Sequence, residues 1–165
     1  RSPRFVRTLT LGVTLSRMNE TVKAVVGSWI KMAENGEIEA IVLDMIPKMY
    51  SDKYIKKYGR LLPLISKFTK LEDPNRFIVL AKACLTCDIY EELEKIACPV
   101  FVIGGRRDKV VTGEASEETA KKLGEAKCRL FMYEELGHAA YEEAKDFNQR
   151  ILDFILHADN TYQIK

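Results

Sequence analysis

The sequence lacks any apolar run near the ~18 to 20 residues that a membrane-spanning helix needs. It also lacks a strong charge of either sign. The 26 Lys and Arg against 24 Asp and Glu leave a formal net charge of +2, too balanced to expect nucleic acid as a main partner. Glycine (9) and proline (5) are sparse, and 47% of the 165 residues are hydrophobic. That composition excludes a collagen-like repeat and a disordered chain. The first residues, Arg1-Ser2-Pro3-Arg4, lead into a mixed segment without the apolar stretch of a secretory signal. A cytoplasmic globular chain is expected, with no membrane and no nucleic-acid partner. The four cysteines are Cys84, Cys87, Cys98 and Cys128. Cys84-Leu-Thr-Cys87 has the spacing of a zinc or redox pair, yet no second pair or nearby histidine accompanies it. It lies in an apolar helical stretch and reads as buried thiols. No metal and no cofactor are expected.

What is present divides into alternating and helical patterns. Residues 5–15, FVRTLTLGVTL, alternate and are rich in Val, Thr and Leu, predicting a strand, with Arg1, Arg4, Arg7 and Arg17 as its solvated flanks. Asn19 is placed to cap a helix over 20–34 whose face is Val22, Val25, Val26, Trp29 and Ile30, stopped by Asn35-Gly36. A second helix carries Ile38, Ile41, Val42, Met45 and Ile46 and is expected to break at Pro47. Short helical pieces follow at 52–58 and 61–69. Asp73-Pro74 starts a helix expected to reach Cys87, and Asp88 with Glu91 forms a capping box for an extension to Ile96. The uninterrupted apolar run VFVIGG (100–105) predicts a parallel strand buried on both faces. A helix over 114–123 ends at Gly124, CRLFMY (128–133) is another strand, and an amphipathic helix over 141–157 closes the chain.

This order predicts an α/β chain: a small parallel sheet of about three strands, flanking helices and a large inserted helical block. Residues 1–18 hold the first core strand and the entry to the insertion, 19–72 the helical insertion, and 73–165 the C-terminal α/β core. In open α/β sheets, ligands sit beyond the carboxyl ends of the strands. Two loops lie there, Arg106-Arg107-Asp108-Lys109 and Glu134-Glu135-Leu136-Gly137-His138. They bring a carboxylate and one of only two histidines to one end of neighbouring strands. An aspartate can hold an imidazole through one ring nitrogen and leave the other to take a proton. The competing reading pairs Asp108 with Arg106, Arg107 or Lys109 at the surface and leaves His138 solvated. His157 is expected at the end of the last helix, as a charge on its dipole.

CPVFVIGGRRDKVVTGEASEETAKKL followed by CRLFMYEELGHAAYEEAKDFNQRILDFI resembles the C-terminal part of an α/β-hydrolase. The matching pieces are a strand, a G-x-x-D-x-V-V acid loop, a helix, a strand leading to G-H, and a closing amphipathic helix. RTLTLGVTLSRMNET resembles the strand that follows the nucleophile elbow and enters the helical cap. The resemblance implies Asp108 as triad acid and His138 as triad base, in the order Ser…Asp…His. It also implies a G-x-S-x-G nucleophile, and this chain has none: serines 2, 16, 28, 51, 66 and 116 all lack the flanking glycines. The expectation is therefore the C-terminal part of a serine hydrolase, cleaving an ester, a lactone or a related acyl or C–C bond. On that reading ~100 residues of the usual enzyme are missing, and the chain alone is inactive. The alternative is a non-catalytic binding or assembly module that retains the fold. The cap is expected to line the substrate pocket through Trp29, Met45, Met49 and Phe68, with Val110 from the acid loop, around a small ester-like molecule. The last helix is similar to that of carbon–carbon bond hydrolases, which often carry a tryptophan after the histidine; Ala139-Ala140 stands here. A first strand left open on one side implies self-association or capture of the missing half.

Overall fold

Short runs of β-branched and apolar residues form the strands β1 (Leu9–Gly12), β2 (Val100–Gly105) and β3 (Cys128–Tyr133) of the computed structural model, which describes residues 5–61, 64, 66, 68 and 73–162, with side chains to residue 158. They make one parallel sheet in the order β1–β2–β3. The register sets Leu9 beside Val100 and Gly12 beside Ile103, then Val100 beside Cys128 and Gly105 beside Tyr133. All six residues of β2 are buried, as a continuous apolar run requires when both faces of a parallel strand are covered. Val100 and Val102 pack with Leu93, Ala120 and Leu123 on one face. Phe101 and Ile103 pack with Ala140, Phe147, Phe154 and Ala158 on the other.

Among the described residues, the helices whose bounds are defined are α1 (Glu20–Glu34), α2 (Ile38–Met49), α3 (Asp52–Tyr58), α4 (Pro74–Cys84), α5 (Gly113–Leu123), α6 (Ala140–Glu143) and α7 (Phe147–Tyr162). Asn19 caps α1 by accepting from the Val22 N–H at 2.9 Å, satisfying one of the donors that a helix start leaves unpaired. The buried face of α1 meets Ile41 of α2, Ala81 of α4 and Val110 from the loop after β2. The helical layer thus shares its core with that loop. Among the described residues no helix is long and apolar enough to cross a membrane.

Several local expectations need correction. The first strand covers four residues: the Val13 N–H makes one more bond, to the Ile103 carbonyl at 2.9 Å, and the chain then leaves the ladder as Val13 turns to φ 43°. Pro47 lies inside α2: so near the end, its missing N–H costs one bond, and the Tyr50 N–H still reaches the Ile46 carbonyl at 3.1 Å. α4 stops at Cys84, which is exposed, with Cys87 and Cys98 partly so; Cys128 alone of the four is buried. Asp88 accepts from the Tyr90 N–H at 3.3 Å instead of capping with Glu91, and a 3-10 turn over Glu91–Lys95 replaces the expected extension. The closing helix is two helices, parted where Ala144 turns extended, and α7 continues to Tyr162. His157 therefore lies within it, donating from Nδ1 to the Asp153 carbonyl at 2.8 Å. The piece expected at 61–69 falls largely outside the described residues.

Three tyrosines are tuned by this packing. Burial pushes the Tyr133 phenol up to about 12, reinforced by its 2.9 Å hydrogen bond to Asp146. Burial also raises Tyr50 and Tyr141, with Glu142 adding to both. A phenol raised above its unfolded value near 10 keeps its proton in the fold after the unfolded chain has lost it. Its stabilisation is complete below pH ~10 and is lost as pH climbs through the folded value. Stability should thus fall between pH ~10 and ~12, and Tyr133→Phe should flatten that fall; urea midpoints across this range, with phenolate absorbance, measure both.

Candidate functional site

The acid and histidine loops are forced together by the backbone. The Arg106 N–H bonds the Tyr133 carbonyl and the Arg107 N–H bonds the Leu136 carbonyl, each at 2.9 Å, so pairing of β2 with β3 continues past the strand ends. Gly105 is what permits it. A Cβ there would stand 2.5 Å from the Leu136 oxygen and closer still to that of Gly137.

From these loops Asp108 and His138 converge. His138 Nδ1 lies 2.8 Å from Asp108 Oδ2. The other carboxylate oxygen, Oδ1, accepts from the Val110 and Val111 N–H groups at 2.7 and 3.0 Å. A carboxylate fixed by two backbone donors offers its remaining oxygen as an acceptor, so the imidazole carries its proton on Nδ1. In the neutral ring this leaves the lone pair on Nε2. The Asp108 side chain is 2% exposed and that of His138 20%, a held carboxylate beside a more accessible imidazole. Thr112, just beyond, sits at φ 72°, a conformation rare for a residue with a Cβ; its hydroxyl caps α5 through the Ala115 N–H at 3.3 Å.

The surface ion-pair reading of Asp108 is overturned, because its neighbours have other partners. Arg106 bonds Glu134 through Nε and Nη2, both at 3.2 Å, and also bonds Glu117. Arg107 pairs with Glu135 at 2.7 Å, and Lys109 lies 3.7 Å from Asp52. The hydrogen bond from Arg106 holds the Glu134 carboxyl below its usual value. Exposed pairs of this kind are worth little individually, but these join the two loops at their rims. Among the described residues no group of three or more His, Cys, Asp or Glu could hold a metal.

The expected pocket residues divide. Trp29, Met45, Met49 and Val110 share the apolar core of the helical layer. Trp29 is 6% exposed and donates from Nε1 to Asp44 Oδ2 at 2.7 Å, so its edges are committed to packing. Burial works to raise the Asp44 carboxyl, yet hydrogen bonds from Lys48 and Trp29 prevail and hold it low. Phe68 is 77% exposed and joins none of this. Two contacts that the sequence does not announce also reach the loops. Asn19 Nδ2 donates to the Val111 carbonyl at 3.2 Å, and the Met49 carbonyl accepts from the Ala139 N–H at 2.8 Å.

Residues 77–145 match the model of the family described as Serine aminopeptidase, S33. An α/β-hydrolase enzyme from a Medee basin deep-sea metagenome library superimposes with a TM-score of 0.79 at 22% identity, covering 94% of this chain and 58% of its own. The fold is that of an α/β-hydrolase. The enol-lactonase from Burkholderia xenovorans is similar at TM-score 0.77 and 20% identity, over 92% of this chain and 56% of that one. A thermophilic esterase from Thermogutta terrifontis gives 0.76 at 17%, over 96% and 58%. No curated protein matches the sequence. The chain spans less than two thirds of the length of these hydrolase-fold structures. In such a sheet, Asp108 and His138 sit where open α/β folds place their chemistry, beyond the carboxyl ends of adjacent strands.

Proposed function

We propose that this chain supplies the acid and the general base of a serine hydrolase, with the nucleophile on a segment outside these 165 residues. The observation that carries this reading is the 2.8 Å contact of Asp108 Oδ2 with His138 Nδ1. As a nucleophile hydroxyl attacks a carbonyl carbon, His138 Nε2 takes its proton and later returns it to the leaving oxygen. Asp108 keeps the imidazole in the required tautomer and stabilises the imidazolium. A small ester or lactone is the favoured substrate. The enol-lactonase and the esterase among the similar structures support it, and Ala139-Ala140 after the histidine weighs against carbon–carbon cleavage. The layer of α1 to α3 serves as the cap, with Met45 and Met49 on the side of the acid loop.

Sheet order leaves β1 paired on one side only among the described residues, and an open parallel edge is a template for a further strand. On this reading that edge receives the nucleophile-bearing strand, in competition with edge-to-edge pairing of two copies. The test is turnover of p-nitrophenyl acetate. The chain alone should not exceed the buffer rate, since acid and base without nucleophile and oxyanion donors lose most of the acceleration. Supplying a G-x-S-x-G segment should produce turnover that His138→Ala abolishes. Turnover by the chain alone that vanishes in His138→Ala would overturn the external nucleophile.

A further inference from the structure

The segment bearing His138 is held from its far side by the helical layer, at the corner between α2 and α3. The Met49 carbonyl, last in α2, accepts from Ala139, the residue after His138. Gly137, the residue before it, passes so close that a Cβ would lie 2.8 Å from the same Met49 oxygen. Two residues on, the Ser51 N–H donates to Glu143 at 2.8 Å, and its hydroxyl donates to the other oxygen of that carboxylate. Tyr50 donates its hydroxyl to Glu142. Ser51 is buried and caps α3 by accepting from the Tyr54 N–H at 3.2 Å. Ala139 and Ala140 are fully buried, so the loop has no slack on this side.

We propose that the corner at residues 49–51, gripped by Glu143, is a positioning device that couples the seating of the helical layer to the alignment of His138 on Asp108. Glu143 and Ser51 are positioning residues: their side-chain hydrogen bonds go to each other and to the Tyr54 N–H, and they act through the backbone of 137–139 and through α6. The geometry is directional. Asp108 fixes one nitrogen of the ring, while the corner fixes the chain on both sides of the His138 Cα. Lifting the helical layer would release the Ala139 N–H and let the histidine loop relax away from Asp108. A closed layer aligns the base, and an open one loosens it. This rests on the catalytic reading of His138, but its test does not need turnover.

The readout is the Nδ1–H proton of His138 by nitrogen-correlated NMR on the chain as it stands. In the unmodified chain this signal should be sharp, and Asp108→Asn should remove it. Ser51→Ala and Glu143→Ala should each speed its exchange with water roughly threefold to tenfold, the range one lost hydrogen bond gives. Ser51→Thr, which keeps the hydroxyl, should restore slow exchange. Tyr50→Phe deletes a single hydroxyl and provides the mild variant should the others fail to fold; it should show the smaller end of that change. Exchange as slow as in the unmodified chain, in folded corner variants, overturns the coupling. A signal that survives Asp108→Asn would instead sink the Asp108–His138 assignment.

Discussion

Replacing Gly105 with alanine should destabilise the chain by about 4 kcal/mol, among the largest effects a single substitution produces. The new Cβ would press on the carbonyl oxygens of Leu136 and Gly137, and backbone atoms cannot step aside as a side-chain tip can. The strand ends would have to separate, taking with them the Arg107 bond to Leu136 and the approach of the two loops. Gly104→Ala is the internal control. Its Cβ meets the Ser116 hydroxyl at 2.9 Å and the Met132 side chain at 3.5 Å, groups able to rotate, so about 1 to 2 kcal/mol is expected. Urea unfolding of both variants reads the difference. A Gly105→Ala midpoint equal to that of Gly104→Ala would mean that the loops do not pack this closely.

The second large effect is chemical. Asp108→Asn preserves size and can still accept from Val110 and Val111 through its Oδ1. Its amide, however, turns an N–H toward His138 Nδ1, where the carboxylate offered an acceptor. The imidazole should then move its proton to Nε2, leaving no lone pair for the nucleophile. A wrong tautomer of this kind costs about 10⁴ in kcat in a serine hydrolase. In the isolated chain the nitrogen-15 shifts of the His138 ring should exchange places. Once a nucleophile-bearing segment is supplied, the rate should fall by the same order. An unchanged tautomer together with unchanged turnover would remove Asp108 from the mechanism.

The strands and the site loops were legible because their signals are local. VFVIGG between Pro99 and Arg106 admits little but a doubly covered strand, and β2 occupies that run. The bounds of α1 follow from the Asn19 cap and from Asn35-Gly36, where chain direction must change. Asp108 and His138 could be placed at one end of the sheet because each follows a strand directly. The break between α6 and α7 was not visible. Ala144, Phe147 and Ile151 keep helical spacing across it, and no glycine or proline marks the turn. Nor was the corner at Ser51, whose partner Glu143 is 92 positions away. A hydrogen bond between distant polar residues leaves no periodicity for a sequence pattern to reveal. Trp29 and Phe68, alike in the sequence, differ in burial. Both are large and apolar, but one is sealed by Asp44 and its neighbours while the other faces solvent.

The rim of the two loops is electrically near balance. Arg106, Arg107 and Lys109 each stand against carboxylates, those of Glu134 and Glu117, Glu135, and Asp52. A funnel lined by one sign of charge concentrates counter-charged ligands and speeds their arrival, an advantage that salt erases. Here positive and negative groups alternate within a few ångströms, and their fields cancel over the distance from which a ligand approaches. An uncharged ester loses nothing by this. A carboxylate- or phosphate-bearing molecule gains no attraction from it either, so raising the salt concentration should leave the rate of arrival at this rim unchanged.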